Sequence, residues 1–254
     1  MKQKINASIF LALLMSFAII SCNDAKKDES EKTDTPITTT SPTRDPATDP
    51  VKVAPGIYHV LADTMDIRIS EVTVKPGESV PMHSHPDHSI YVVEGGPVEF
   101  EAKDGTKTTS ELKSGMGIVM PAETHAGKNI GTTTLRLVVT EAFRAATALT
   151  RDAAMDPVTV APGATRVLAD TMNIRISEVT VKPGESVAMH SHPDHSIYVA
   201  QGGTGEFETK DGTKTTSELK TGMGIVVPAL THAGKNTGTT TLKLIVTEIF
   251  RPGN

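Results

Sequence analysis

Two identical clusters of histidines are the part of this sequence that could do chemistry. The stretch MHSHPDHSIYV runs from Met82 to Val92 and again from Met189 to Val199, and together these stretches hold six of the nine histidines. In a β-strand, residues two apart point to the same face and lie about 7 Å apart along the backbone. His83 and His85 can therefore reach one ion, and imidazole nitrogen is a common ligand of divalent transition metals.

The histidine clusters belong to a tandem repeat. Residues 51–143 align without gaps to residues 158–250, and most aligned positions are identical. His125 and its counterpart His232 are the other histidines that both copies contain. The candidate ligands are His83, His85, His88 and His125 in the first copy and His190, His192, His195 and His232 in the second. Asp87 is an alternative donor to His88.

A shell of neutral imidazoles favours particular metals. Without carboxylates it holds Mg²⁺ or Ca²⁺ poorly and suits Zn²⁺, Ni²⁺, Cu²⁺ or Fe²⁺, with Mn²⁺ also possible. Four histidines on an octahedral ion leave two positions for water, substrate or O₂, whereas a tetrahedral zinc ion would be closed and structural. We therefore expect one divalent transition metal per repeat, and the alternatives stay open.

The elements that must position these histidines carry strand signals. Thr132–Glu141 alternates apolar and polar residues, and Ile67–Val74 is rich in β-branched residues, with a phase slip near Ser70 and Glu71 that would fit a bulge. Asp104-Gly105 predicts a tight hairpin turn. No helix longer than two turns is predicted in either copy. The pattern indicates an all-β fold of two small barrels or jelly rolls.

The N-terminus resembles a bacterial lipoprotein. Lys2 and Lys4 precede a short apolar run, Ile9–Ile20, that is typical of a secretory signal peptide. The following Ser21-Cys22 resembles the end of a lipobox, which implies removal of residues 1–21 and lipidation of Cys22, the single cysteine. We expect residues 22–50 to be a disordered tether, because they are polar and nearly free of aliphatic side chains.

The predicted organisation follows from these boundaries. It comprises the signal peptide 1–21, the tether 22–50, a first domain 51–143, a linker 144–157 and a second domain 158–254. The expected location is the cell envelope, on the periplasmic or surface face of a bacterial membrane. A formal net charge of −5 and a lack of basic runs exclude nucleic acid as a partner. Self-association into a homo-oligomer is left open.

Both repeats resemble the cupin superfamily. Gly77, the histidine cluster and Gly95 are similar to the first cupin motif, and Gly115, Pro121, His125 and Asn129 are similar to the second. The resemblance implies a bicupin: two barrels of six to eight strands with the jelly-roll or double-stranded β-helix topology and a metal in each mouth. His88 and His195 stand where the family usually has a glutamate ligand, which implies a four-histidine site.

The resemblance also implies candidate roles and functions. Arg68 and Arg175 lie on a strand that lines cupin barrels, where they could bind a substrate carboxylate, although a surface ion pair is an equal alternative. Glu99 and Glu206 could act as general bases if they face inward. The favoured function is a metal-dependent dioxygenase, isomerase or lyase acting on a small organic substrate. The alternatives are a lipoprotein that binds a metal or small ligand without catalysis, and a barrel whose fold is stabilised by a structural zinc ion.

Overall fold

The computed structural model describes residues 44–143 and 151–250. The predicted signal peptide, Cys22 and most of the predicted tether lie outside the described residues. Within the described ranges, no helix has the length and apolar character needed to cross a membrane. The two repeats lie in a single compact unit, 40–254.

Each repeat contains one short helix followed by nine strands. In the first repeat these are α1 (Pro50–Val53), β1 (Tyr58–Thr64), β2 (Ile67–Val74), β3 (Ser79–His85), β4 (His88–Glu94), β5 (Gly96–Ala102), β6 (Lys107–Leu112), β7 (Gly117–Met120), β8 (Glu123–Asn129) and β9 (Leu135–Ala142). In the second they are α2 (Pro157–Val160), β10 (Thr165–Thr171), β11 (Ile174–Val181), β12 (Ser186–His192), β13 (His195–Gln201), β14 (Gly203–Thr209), β15 (Lys214–Leu219), β16 (Gly224–Val227), β17 (Leu230–Asn236) and β18 (Leu242–Ile249).

The strands of each repeat form two antiparallel sheets that enclose a core. In the first repeat the sheet orders are β1-β2-β9-β4-β7 and β3-β8-β5-β6, and the second repeat has the equivalent orders β10-β11-β18-β13-β16 and β12-β17-β14-β15. The first core is aliphatic and includes Val72, Val92, Leu135 and Val139. The predicted all-β fold of two tandem barrels is confirmed, with more strands per barrel than the predicted six to eight.

The predicted hairpin at Asp104-Gly105 is present. It joins β5 to β6, which pair in antiparallel register from Gly96 opposite Leu112 to Glu101 opposite Lys107. Gly105 has φ of +84°, a conformation that a residue without Cβ adopts freely. This turn connects the inner strand β5 to the edge strand β6 of the sheet whose strand β3 carries His83 and His85.

Strand β2 is itself regular, and the irregularity predicted near Ser70 is a shift in its pairing with β1, between Val60–Ser70 and Ala62–Ile69. Arg68, Ser70 and Val72 alternate regularly toward the interior of the first barrel, while Ile69 packs on the other face against the second barrel. Burial of both faces produced the irregular apolar pattern. The unpaired residue at the shift is Leu61 of β1.

The five-stranded sheets of the two barrels pack against each other. Their interface is apolar, with Ile69, Tyr91, Ile176 and Tyr198 in one buried cluster. Buried hydroxyl pairs add to it, including Ser89 with Thr247 at 2.8 Å. The close contact uses glycine, because a Cβ on Gly117 would lie 2.5 Å from Cβ of Leu168.

The residues just before each predicted domain pack on its barrel, and the domain boundaries stay predictions. Arg44–Pro50 was assigned to the tether, but Thr48 accepts a backbone hydrogen bond from Ser84, and Asp49 caps α1 and pairs with buried Arg68. The matching stretch of the second repeat, Arg151–Pro157, was assigned to the linker and makes the same kinds of contact. Both stretches pack on a barrel because each supplies an aspartate to a buried arginine.

Candidate metal centres

Strand pairing brings three histidines of each barrel together. His83 and His85 lie two residues apart on β3 and share a face, and His83 is directly opposite His125 on the neighbouring strand β8. The second barrel repeats this pairing between His190 and His232. The ring centroids of His83 and His125 are 4.6 Å apart.

The fourth histidine comes from the opposite sheet. Pro86 and Asp87 separate β3 from β4, so the chain turns between sheets and His88 begins β4. There His88 pairs with Glu141 of β9, and its ring centroid lies 4.6 Å from that of His85. In the second barrel His195 lies 4.7 Å from His192 by the same measure.

Three histidines in each barrel are close enough to hold one ion. Ligand atoms of His83, His85 and His125 all lie within 4.8 Å of one another, and the same is true of His190, His192 and His232. Two nitrogens bound at about 2.1 Å to one ion are at most about 4.2 Å apart, so small side-chain movements suffice. Direct ligation by His88 and His195 stays a prediction.

The protonation pattern of the imidazoles suits a metal. Nδ1 of His83 donates to the carbonyl of Pro81 at 2.7 Å, and Nδ1 of His88 donates to the carbonyl of Pro86 at 2.8 Å. A carbonyl can only accept, so both Nε2 atoms carry lone pairs. Nε2 of His88 is buried and, among the described residues, has no hydrogen-bond partner.

Burial keeps these imidazoles neutral. Desolvation, followed by the proximity of His85, lowers the pKa of His83 to about 3 and that of His88 to about 4. In the second barrel the same effect, followed by proximity to His190, lowers the pKa of His232 to about 3. Neutral imidazole is the form that binds a metal, so the site is ready for a cation near neutral pH.

A buried chain of charges orients His85. Nδ1 of His85 lies 2.9 Å from one oxygen of Glu141, whose other oxygen accepts from Nε of Arg68 at 2.7 Å. Arg68 also donates to Asp49 at 3.0 Å. Burial opposes ionisation of Glu141, but the contacts with His85 and Arg68 outweigh it and lower its pKa. Carboxylates of this kind fix the ring of a metal ligand and raise its basicity.

The second barrel contains the same chain of contacts. His192 contacts Glu248, which accepts from Arg175, and Arg175 donates to Asp156. Contacts with His192 and Arg175 overcome the effect of burial and lower the pKa of Glu248 to about 2. The roles of Glu141, Glu248, Asp49 and Asp156 were not predicted from the sequence. The signal for Asp49 and Asp156 was the repeat itself, which extends back to Arg44 and Arg151.

The remaining predicted residues have clear positions. The arginines Arg68 and Arg175 are each 3% exposed and paired with carboxylates of the chain itself, and their role in substrate binding stays a prediction. Glu99 does not serve as an inward-facing base, because it pairs with Lys107 at the surface while its neighbour Phe100 packs near His125. Glu206 pairs in the same way with Lys214.

The two barrels differ beside their histidines. In the first, the hydroxyl of Tyr58 lies 3.3 Å from Nε2 of His83. In the second, the equivalent position on β10 is Thr165, whose buried hydroxyl has no partner among the described residues. A cavity of about 310 Å³ lies there. It is lined by the four histidines, by Thr165 and mainly by aliphatic side chains such as Val179, Ile197, Leu230 and Leu244.

The rims differ as well. Glu123 of β8 contacts Nδ1 of His125 at 2.9 Å and lies 4.0 Å from Nε2 of His88. Burial opposes ionisation of this carboxyl, but the hydrogen bond with His125 gives a net lowering of its pKa. The second barrel has Leu230 at this position, where the first has a carboxylate.

These residues fit a divalent transition metal. The donors are imidazole nitrogens, the rings of His88 and His85 are fixed by a carbonyl and a buried carboxylate, and the buried Nε2 atoms of His88 and His232 lack other partners among the described residues. Leaving such atoms unpartnered in a protein interior is costly, and a cation would satisfy them.

Solved structures with this architecture include two-barrel proteins of several kinds. AerE from Microcystis aeruginosa is 16% identical, with a TM-score of 0.55 over 76% of this chain and 91% of its own. Salicylate 1,2-dioxygenase from Pseudaminobacter salicylatoxidans is 14% identical, with a TM-score of 0.54 over 76% of each chain. A deletion mutant of Bacillus subtilis oxalate decarboxylase is 15% identical, with a TM-score of 0.54 over 74% of this chain and 70% of its own. At these identities the likeness shows the fold alone.

Sequence comparison identifies the family. No curated protein sequence matches the chain significantly. The family described as "Cupin domain" matches twice, at residues 70–141 and 177–248, which together make up more than half of the chain. Each match spans β2 to β9 or its equivalent and contains all four histidines of its barrel. The chain therefore belongs to the cupin family and carries two cupin domains.

Proposed function

We propose that this bicupin binds a divalent transition metal through four histidines in each barrel and acts as a metal-dependent enzyme on a small organic substrate. The observation that carries the proposal is the convergence of three imidazoles in each barrel, with His88 or His195 next to them on the opposite sheet and a buried glutamate behind one ring. Zn²⁺, Ni²⁺, Fe²⁺, Mn²⁺ and Cu²⁺ all accept nitrogen ligands. When bound, such an ion supplies Lewis acidity and, if redox-active, O₂ chemistry.

The residues of the chain then have separate tasks. Glu141 and Arg68 hold His85 in one tautomer, and the backbone carbonyls do the same for His83 and His88. The aliphatic walls of the second cavity exclude water and accept the apolar part of a substrate. A cavity of about 310 Å³ is at the lower end of the range for small-molecule sites. These features support a small acid, dicarbonyl or phenol as the substrate, with an oxygen directed at the histidines. They support a dioxygenase, isomerase or lyase reaction.

A second candidate function is non-catalytic binding of a metal or small ligand. It is favoured by the second cavity, whose described lining contains no carboxylate that could act as a base. The two candidates separate in one assay. Protein loaded with Fe²⁺, Ni²⁺, Mn²⁺ or Cu²⁺ and given a panel of carboxylates, dicarbonyls and flavonols should consume O₂ or convert a substrate if it is an enzyme. Ligand binding without turnover would select the binding protein.

Metal analysis tests the part that both candidates share. Purified protein should contain up to two ions per chain, and X-ray absorption should show imidazole nitrogens among the metal ligands. His85→Ala should reduce the stoichiometry by one ion, while His59→Ala, at a position where the other repeat has Arg166, should leave it unchanged. Equal metal content in wild type and in His85→Ala and His192→Ala variants would contradict the proposal.

We also propose that the protein is lipid-anchored in the cell envelope through Cys22. Support comes from the apolar run and the lipobox-like residues that precede this cysteine. Acyl chains bury methylenes at about 0.8 kcal/mol each, so two or more chains would hold the protein at a membrane. Cells labelled with an alkyne palmitate should yield labelled protein, and Cys22→Ala should be unlabelled and recovered in the soluble fraction. Equal labelling of both would refute the anchor.

A further inference from the structure

We propose that the two centres are not equivalent and that the second barrel alone binds the organic ligand, a small apolar molecule with a metal-binding phenol or acid group. This inference rests on the proposed function, since it assumes a metal in each barrel. It deepens that proposal by locating the ligand site and naming its occupant.

The first observation is a tyrosine that stands in only one of the barrels. The ring centroid of Tyr58 is 5.9 Å from that of His83 and 6.3 Å from that of His85. Its hydroxyl lies 3.3 Å from the Nε2 atom that would face the metal. The side chain is therefore placed where a ligand would have to sit, and it is itself buried with 8% exposure.

The second observation is what replaces this tyrosine. Thr165 lacks the aromatic ring, is 8% exposed, and leaves its hydroxyl without a partner among the described residues. The cavity of about 310 Å³ includes Thr165 and all four histidines of the second barrel. Thr165 and His232 both line this mainly apolar cavity, and neither the buried hydroxyl nor the buried Nε2 has a partner among the described residues. Such atoms are satisfied by a polar group on an incoming ligand.

The third observation concerns charge at the rims. Glu123 contacts His125 and places a carboxylate beside the first centre. Leu230 lines the second cavity at the same position and presents only methyl groups. A carboxylate repels an anionic ligand and is costly to desolvate beneath an apolar one. The first barrel is thus unfavourable for the ligand class that the second accepts.

The ligand class follows from the walls of the second cavity. Val179, Ile197, Leu242 and Leu244 provide apolar contact, whereas the four histidines provide the nitrogens that could hold a metal. A ligand that matches this distribution has one polar, metal-binding end and an apolar body. 4-Nitrocatechol is a suitable probe, because its visible absorbance changes when its phenolic oxygens bind a metal.

The test counts probe molecules per chain. Full-length protein and its variants are loaded with Ni²⁺, the metal content is measured, and 4-nitrocatechol is titrated while absorbance is recorded. Wild type should bind two ions and one probe per chain. Thr165→Tyr, which fills the second cavity, should keep two ions and lose probe binding at least tenfold. Tyr58→Thr, which opens the first barrel, should raise the stoichiometry to two probes, with weaker binding at the first centre because Glu123 remains there.

Matched variants separate size from hydrogen bonding. Tyr58→Phe keeps the ring and should leave the stoichiometry at one, and Thr165→Val keeps the cavity and should still bind. Two probes per wild-type chain, or full binding by Thr165→Tyr, would overturn the inference while leaving metal binding intact. Protein that takes up no Ni²⁺ would instead overturn the proposed function. If Tyr58→Thr fails to fold, the Thr165→Tyr result alone decides.

Discussion

Replacing Glu141 with glutamine is the most informative single perturbation of the first barrel. The side chain is 1% exposed, and its two oxygens contact Nδ1 of His85 at 2.9 Å and Nε of Arg68 at 2.7 Å. Glutamine keeps the size but removes the negative charge. Arg68 then retains a single carboxylate partner, Asp49, and His85 loses the acceptor that fixes its tautomer.

Two magnitudes follow from these contacts. Removing one partner of a buried ion pair costs 3 to 5 kcal/mol, and the remaining Asp49 pair places this case near the lower end, at about 3 kcal/mol. For a protein of this size that corresponds to a fall in melting temperature of roughly 6 to 12 °C. Loss of a carboxylate that supports a metal-binding histidine weakens metal affinity by about 10- to 100-fold. Only the first site should be affected.

Calorimetry can measure both effects. Scanning calorimetry of metal-free Glu141→Gln gives the stability change, and isothermal titration with Ni²⁺ gives the affinities of the two sites. Glu248→Gln should transfer the affinity loss to the second site. Asp63→Asn is the control for loss of a charge, because Asp63 pairs with Arg44 where both side chains are about one third exposed. Such a pair contributes at most about 1 kcal/mol.

The control Asp63→Asn should lose roughly 1 kcal/mol or less and melt within about 2 °C of wild type. The reasoning would be refuted if Glu141→Gln also melted within that range and bound Ni²⁺ with unchanged affinity at both sites. That outcome would mean that Glu141 neither stabilises the buried arginine nor orients His85. A stability loss without an affinity loss would leave the ion pair and remove the orienting role.

Three further predictions concern packing, hydrogen bonds and pH. Gly117→Ala should lower the free energy of unfolding by about 1 to 3 kcal/mol, because the new Cβ would lie 2.5 Å from Cβ of Leu168. Gly127→Ala is the control, because its new Cβ would have nothing within 4 Å. Equal urea midpoints for the two variants would contradict this prediction. Asn129 is fully buried and donates to two backbone carbonyls. Asn129→Ala should therefore destabilise the fold by about 1 to 3 kcal/mol for each carbonyl left unsatisfied, without changing the number of bound metal ions. A melting temperature equal to that of wild type would argue against this prediction. Burial lowers the pKa of His88 in the folded protein to about 4, below its usual 6.5, so the unfolded chain gains a proton first as the pH falls. The metal-free protein should therefore lose about 3 kcal/mol of stability through this residue between pH 6.5 and 4, and urea unfolding that gave the same stability across that range would contradict this.

Much of the metal centre was predictable because strand geometry is local. The spacing of His83 and His85 places both rings on one face of any β-strand, and the repeat identified His125 as the further donor. The all-β fold followed from alternation and turn residues, and the hairpin at Asp104-Gly105 followed from the turn type that this pair favours. These conclusions depend on residues near one another in the chain or on the similarity between the copies.

Other features required the tertiary structure because they depend on pairing between distant strands. Glu141 is 56 residues from His85 in sequence and contacts it only because β9 pairs with β4 inside the barrel. The apparent irregularity of β2 came from a second barrel covering the strand's outer face, which no local pattern reveals.

The sequence alone therefore determined that each half of the chain is a β-barrel with histidines able to share a metal, because periodicity and ligand spacing are properties of short segments. The difference between the centres was decided by the tertiary structure. Tyr58 and Thr165 are aligned positions in the sequence, but only the folded barrel shows that one fills the space beside the histidines and the other leaves a cavity of about 310 Å³. Volume and contact arise when distant segments pack, which is the physical reason that the repeat could not reveal them.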